Sequence, residues 1–256
     1  MPSKQLTELV RRIRPAPLAV AIANVAGLSK RKTVRTKEGS FFINPVSDLG
    51  YHLTFGEYEP SMRAVLQKYL PSGGVFIDLG ANEGYFSVLA SGIAGPSGKV
   101  IAVEPQSRLQ SVIQANLNLN QCKNVRLIRA VVSAASGTAT LELASEMNTG
   151  GSSLFKNTAY SVKTESVQSL TLAELLDLTG VGACDLMKVD VEGAEYDIFM
   201  GSESILLTGR IKNIALEIHN TILEKRHLSG DDLHQLILRC GYQLNDQLGN
   251  WVYSHA

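Results

Sequence analysis

The chain has 256 residues, 24 of them Lys or Arg and 24 Asp or Glu, so its formal net charge is zero. The balance is made of two unlike regions: residues 1–40 hold nine basic side chains against two acids, and the remainder 15 against 22. With 45% hydrophobic and 19% charged residues, and Gly and Pro spread along the chain, the composition excludes disordered and fibrous classes. No apolar run reaches the 18 residues of a membrane span.

Residues 1–40 read as a basic N-terminal extension ahead of a domain over 41–256. Arg11-Arg12-Ile13-Arg14 precedes an apolar stretch and Lys30-Arg31-Lys32 follows it. Two prolines open the stretch and a second basic cluster closes it, which argues against an export signal. A single helix capping the domain is expected, ahead of one lying on an anionic membrane or partner surface. Cys122, Cys184 and Cys240 are odd in number and far apart, so they read as reduced, buried small hydrophobes in a cytoplasmic protein.

From residue 74 short β-rich runs alternate with helical ones, which predicts an α/β fold with a mostly parallel sheet flanked by helices. Strands are expected at 74–79, 100–104, 125–129, 185–189 and 214–218, and helices from near Gly84, Arg108, Thr171, Ala194 and Asp231. Thr171-Leu172-Ala173-Glu174 has capping-box spacing, and Asp231 and Asp232 are placed to cap the last helix, which should stop at Cys240-Gly241. The runs 242–245 and 251–253 flank a turn and predict an antiparallel edge. Runs 138–143 and 160–167 predict a β-rich insertion around the polar loop Asn148-Thr149-Gly150-Gly151-Ser152-Ser153.

Val75-Phe76-Ile77-Asp78-Leu79-Gly80-Ala81-Asn82-Glu83-Gly84 is a strand running into a glycine turn and a helix. In open α/β sheets ligands bind beyond the carboxyl ends of the strands, so this turn is the expected cofactor site. It lacks the G-x-G-x-x-G spacing, and Asp78 and Glu83 would repel a pyrophosphate. Two carboxylates suit a cation such as the sulfonium and ammonium of S-adenosylmethionine. The next strand ends in Glu104, 26 positions beyond Asp78, where a carboxylate can accept both ribose hydroxyls. Pro105 then ends the strand beside the adenine, and Ala130-Val131-Val132-Ser133 offers that ring an apolar wall.

Together with Val103-Glu104-Pro105, Asn116-Leu117-Asn118-Leu119-Asn120, Leu186-Met187-Lys188-Val189-Asp190-Val191-Glu192-Gly193-Ala194-Glu195 and Leu216-Glu217-Ile218-His219, this loop resembles the FkbM-type family of S-adenosylmethionine-dependent methyltransferases. The resemblance spans about residues 40–245 and implies a Rossmann-like class I methyltransferase fold. It implies methyl transfer, usually to a hydroxyl, on sugars or natural-product scaffolds. Carried over, Asp78, Gly80, Asn82 and Gly84 hold the methionine end, with Ala81 and Phe86 beside them. Glu104 and Pro105 hold the nucleoside with Val131, Asp190 sits beside the methyl, and Glu59 closes over the cofactor's charged end.

An alcohol acceptor must lose a proton, and the candidates, Asp190, Glu192, Glu195, Glu217 and His219, stand at the ends of the fourth and fifth strands. Asp190, with a pKa raised by partial burial, or His219, with its ordinary near-neutral pKa, is expected to be the base, and Glu192 is a further candidate. Lys188, two positions before Asp190, shares its face of the strand and should pair with an acid. Glu195 reads as an acid favouring a helix start. No obligatory metal is expected. Nor is a nucleic-acid substrate, since the domain is acidic and lacks a basic stripe. The remaining alternatives are an NAD-linked oxidoreductase, disfavoured by Asn82 and the loop acids, and a non-catalytic scaffold.

Overall fold

Each run expected to be a core strand is one, to within two residues at either end. The computed structural model describes residues 3–155, 163–246 and 251–256. It begins with α1 (Lys4–Arg12), α2 (Ala16–Val25) and the hairpin β1 (Lys32–Arg35) and β2 (Ser40–Ile43), followed by α3 (Asp48–Phe55) and α4 (Pro60–Tyr69). The alternating part is β3 (Val75–Leu79), α5 (Tyr85–Ala94), β4 (Lys99–Val103), α6 (Ser107–Leu119) and β5 (Val125–Ile128). The insertion contributes β6 (Val131–Val132), β7 (Gly137–Glu142) and β8 (Thr164–Leu170). Then come α7 (Leu172–Thr179), β9 (Leu186–Val189), α8 (Glu195–Met200), α9 (Glu203–Leu206), β10 (Asn213–Leu216), α10 (Asn220–Lys225), α11 (Gly230–Arg239), β11 (Tyr242–Asp246) and β12 (Trp251–His255).

The main sheet has the order β11-β12-β10-β9-β3-β4-β5. Its five strands from β10 to β5 are parallel, and β12 and β11 form the antiparallel edge. The turn expected between β11 and β12, and the start of the run 160–167, lie outside the described residues. Alternation along each strand splits the core in two. Ile77, Ile101, Met187 and Ile214 face Leu175, Leu236 and their neighbours, while Phe76, Val100, Leu186 and Ala215 face Phe86, Leu109 and Ile113. Parity also puts Asp78 and Lys188 on the second face, and they are direct register partners on adjacent strands.

Local signals set the helix ends. Thr171 and Glu174 make the reciprocal capping box. The last helix departs from expectation: Ser229 accepts from Asp232 N and is the cap, while Asp231 and Asp232 sit in the first turn. The expected single N-terminal helix is two. Pro15 disfavours helix at Arg14, and Pro17 suits the first turn of the helix that restarts. Both helices rest on the domain, Val10 and Ala23 packing with Val46 and Met147, and Arg11 reaching Val46 O and Asp48. The boundary at residue 40 runs through the β1–β2 hairpin.

Gly80 is where the fold leaves no room: at φ +85° a Cβ would lie 1.8 Å from the Asp190 carbonyl oxygen, the backbone of the neighbouring strand end. Gly92, exposed within α5, has open space around it. Gly80→Ala should therefore cost several kcal/mol in chemical denaturation, whereas Gly92→Ala should gain up to about 1 kcal/mol from helix propensity.

Candidate active site

The carboxyl ends of β3, β4 and β9 open on a cleft of about 230 Å³. Glu59, Gly80, Ala81, Asn82, Phe86, Glu104, Pro105, Val131, Lys188, Asp190 and Glu192 all line it. Three residues expected there stand behind the lining. Asp78 is sealed, its Oδ2 accepting from Ser87 Oγ at 2.6 Å and its Oδ1 unpartnered. Gly84 backs onto Ile113. His219 is outside the lining but beside two residues within it, its Nε2 3.7 Å from Asp190 and 3.6 Å from Glu192.

The glycine loop is pinned by Gly80 and Ala81 N–H groups donating to Val103 O at 3.1 and 3.0 Å. Asn82 takes the left-handed conformation at φ +50°. Glu104 is buried at the end of β4 and accepts from Asn82 N at 2.8 Å and Gln106 N at 3.0 Å, one bond on each carboxylate oxygen. Each oxygen keeps a lone pair for a further donor, the arrangement a vicinal ribose diol needs. Burial pushes the Glu104 carboxyl up to about 7 against those bonds. This half-used carboxylate in the cleft fits a ribose, and the sealed Asp78 adds negative charge behind the loop that suits a cationic cofactor.

Glu83 corrects one expectation. It borders the cleft but is fully buried and held by Arg31, Nη1 to Oε2 at 2.8 Å and Nη2 to Oε1 at 3.3 Å, so its charge is already compensated by the N-terminal segment. The loop also closes from the other side. Thr149 Oγ1 donates to Asn82 Oδ1 at 2.8 Å, and Gln106 Nε2 donates to Thr149 O at 2.9 Å. Asp48, Tyr58 and Gln106 line the cleft without having been singled out for it in the sequence, whereas Glu217, one of the strand-end acids expected there, does line it. None of those three carries a local sequence signal for the site.

Around the acceptor-side acids the electrostatics reverse two more expectations. Lys188, buried in β9, donates to Asp190 Oδ2 at 2.8 Å. Burial opposes its charge, but Asp190, Asp78 and Glu59 more than offset that and hold its pKa raised. Burial likewise opposes ionisation of Asp190, yet Lys188 holds its carboxyl below the usual range, so it is not the raised-pKa base expected. His219 Nδ1 lies 2.6 Å from the buried Glu195. Burial works against the imidazolium, but Glu195, Glu192 and Asp190 raise its pKa to about 9, so at neutral pH it already carries its proton. Glu195 is thus a partner to His219 as well as a first-turn acid, and it also accepts from Gly193 N.

Glu192 has the near-neutral value instead, pushed to about 7 by burial with His219 pulling it down and neighbouring acids pushing it up. It sits at φ +52° before Gly193 at φ +98°, a turn in which a Cβ on residue 193 would meet Ile222 at 2.3 Å. Ser153 Oγ donates to Glu192 O at 2.5 Å and ties the polar loop to this corner. Glu59, left-handed at the start of α4, has its carboxyl raised by burial and lowered by Lys188 and Tyr58. Asp190, Glu192 and His219 each offer a ligand atom within 4.8 Å of one another, close enough for a cation, but Lys188 and the imidazolium already compensate their charge.

Because Glu104 can accept from both ribose hydroxyls only when ionised, S-adenosylmethionine affinity should fall as pH drops below about 7. Glu104→Gln should weaken binding by about 10- to 100-fold and flatten that dependence, read by titration calorimetry.

The chain matches the family model described as the methyltransferase FkbM domain over residues 78–244. It is 28% identical over 161 residues to methyltransferase sdnD of Sordaria araneosa, covering 52% of this chain and 61% of that protein. A second relative, the AMB antimetabolite synthetase AmbE of Pseudomonas aeruginosa, is 23% identical over 210 residues, 69% of this chain but 10% of the synthetase. The chain thus spans less than two thirds of either relative. The solved precorrin-6y C5,15-methyltransferase of Geobacter metallireducens is similar with a TM-score of 0.45 at 16% identity, over 77% of this chain and 89% of that one. With the family model covering most of its length, the chain belongs to the FkbM family of S-adenosylmethionine-dependent methyltransferases.

Proposed function

We propose that the chain O-methylates a hydroxyl on a sugar or natural-product acceptor by in-line displacement. The observation that carries this reading is Glu192: a cleft carboxylate brought to about 7, beside a positively charged His219, is matched to taking a hydroxyl proton at neutral pH. The match to an antimetabolite synthetase supports a natural-product acceptor. The polar residues Asn148, Thr149 and Ser152 along the cleft wall support one bearing hydroxyls.

In this reading Glu104 and the 80–82 loop hold the cofactor, which supplies an electrophilic methyl group on sulfur when bound. Asp190, kept ionised by Lys188, orients the acceptor hydroxyl towards that methyl. Glu192 takes the hydroxyl proton as the oxygen–carbon bond forms and the sulfur–carbon bond breaks. His219, held by Glu195, steadies the resulting cluster of acids. Phe86 and Tyr58 keep the Lys188 side of the cleft apolar, the Lys188 ammonium lying 5.4 Å from the Phe86 ring centre.

The expected kcat/KM profile is a bell. Glu192 is protonated and inactive below about 7, so turnover rises through that value; His219 loses its charge above about 9, so turnover falls there. Glu192→Gln should lower kcat by about 10²-fold or more while leaving cofactor affinity nearly unchanged. Full activity in Glu192→Gln would remove the assigned base.

Activity should survive dialysis against EDTA, because Lys188 and His219 supply the positive charge; a loss restored by Mn²⁺ would instead make Asp190, Glu192 and His219 metal ligands. Comparing glycans and small metabolites with and without the gene, for one CH₂ of added mass on oxygen, identifies the acceptor and separates O- from C-methylation.

A further inference from the structure

Among the described residues nine large apolar side chains are exposed, and five of them fall in α1 and α2: Leu6, Leu9, Leu18, Ile22 and Val25. They are the outer faces of helices whose inner faces are already used. Thr7 and Val10 of α1, and Ala19 and Ala23 of α2, are buried. Leu18, Ile22 and Val25 follow the i, i+4, i+7 spacing of one helical face, and Val25 is 93% exposed. The two helices pack on each other, so the five side chains belong to one small helical hairpin.

The charge around this hairpin is predominantly positive. Arg11 and Arg31 are taken by Asp48 and Glu83, and Glu8, the only acid of residues 3–32, accepts from Tyr51. That leaves Lys4, Arg12, Arg14, Lys30 and Lys32 without an ion pair among the described residues. Arg12 follows Leu9 by three positions and so shares its side of α1. Short helices with an exposed apolar face and surplus Lys and Arg lie in the plane of an anionic bilayer surface, the apolar side chains entering the headgroup boundary. No helix among the described residues is long and apolar enough to cross a membrane, so the contact would be peripheral.

We infer that the α1–α2 hairpin docks the protein on an anionic lipid surface. The hairpin rests on Val46 and Met147, each within two positions of a cleft residue, Asp48 and Asn148. Docking therefore brings one wall of the cleft next to the membrane.

The test uses the full chain in co-sedimentation with vesicles of equal parts phosphatidylglycerol and phosphatidylcholine, against vesicles of phosphatidylcholine alone. The protein should bind the first and not the second, and lose binding at about 1 M salt, where screening shortens to about 3 Å. Leu9→Glu/Val25→Glu and Lys4→Glu/Arg12→Glu should each weaken binding by about tenfold or more. These are surface substitutions, and unchanged S-adenosylmethionine affinity by calorimetry shows that the body is intact. Equal binding to both vesicles, no binding to either, or an unchanged affinity in both variants would overturn the inference. So would a concentration-dependent dimer in sedimentation that Leu9→Glu/Val25→Glu abolishes in a protein that ignores vesicles, since the patch would then join two copies of the chain.

Discussion

The buried ammonium of Lys188 is the interaction on which the rest of the site depends. A lysine in the middle of a parallel sheet is costly to bury unless it is paired. Here β9 sets it beside Asp78 on β3 and two positions before Asp190, and Glu59 approaches from the start of α4. Each of those carboxylates would be expensive to bury alone. Gathered round one cation, they can stay partly buried at the place where a cofactor that is itself positively charged must bind. Removing the lysine would leave acids in mutual repulsion; removing one acid leaves the others to hold it.

The same cation divides the labour between neighbouring acids. Asp190 contacts Lys188 directly and is held ionised, which makes it a poor proton acceptor and a steady hydrogen-bond acceptor. Glu192 is two positions further, past the strand end, where burial acts on it and no lysine relieves it. The left-handed turn at Glu192 and Gly193 produces that separation, by taking the chain out of the sheet before the next helix starts.

How much was legible follows from how local each cause is. The glycine loop and Glu104 could be brought to the cleft because strand, turn and strand-end acid are each written in consecutive residues, whereas the sealing of Asp78 by Ser87 depends on the helix that follows. Lys188 and Asp190 could be paired because side chains alternate along a strand. Arg31 and Glu83 are 52 positions apart, and nothing near Glu83 says that a distant guanidinium fills its carboxylate. His219 looked like an ordinary near-neutral imidazole because Glu195, 24 positions earlier, is brought to it only when the helix after β9 folds back to the end of β10. The second sheet shows the same limit: Val131-Val132 is too short to read as a strand, and exists because β8 pairs beside it.

The zero net charge likewise changes meaning once pairs are assigned. The basic N-terminal surplus is not wholly separate from the acidic body. Arg11 bridges to Asp48, Arg31 to Glu83 and Lys37 to Glu57, so three of its cations are stitches across the boundary at residue 40. Of these the Arg31 stitch matters most, since it neutralises a carboxylate at the start of the helix that follows the glycine loop. With Glu83 compensated, the negative charge left near the cleft comes from Glu59, Asp78, Glu104 and the Asp190 cluster, at both ends of the site. The N-terminal segment therefore acts on the cofactor site through charge even though it supplies none of its lining, and only the cations that it does not spend in this way are left for a surface outside the molecule.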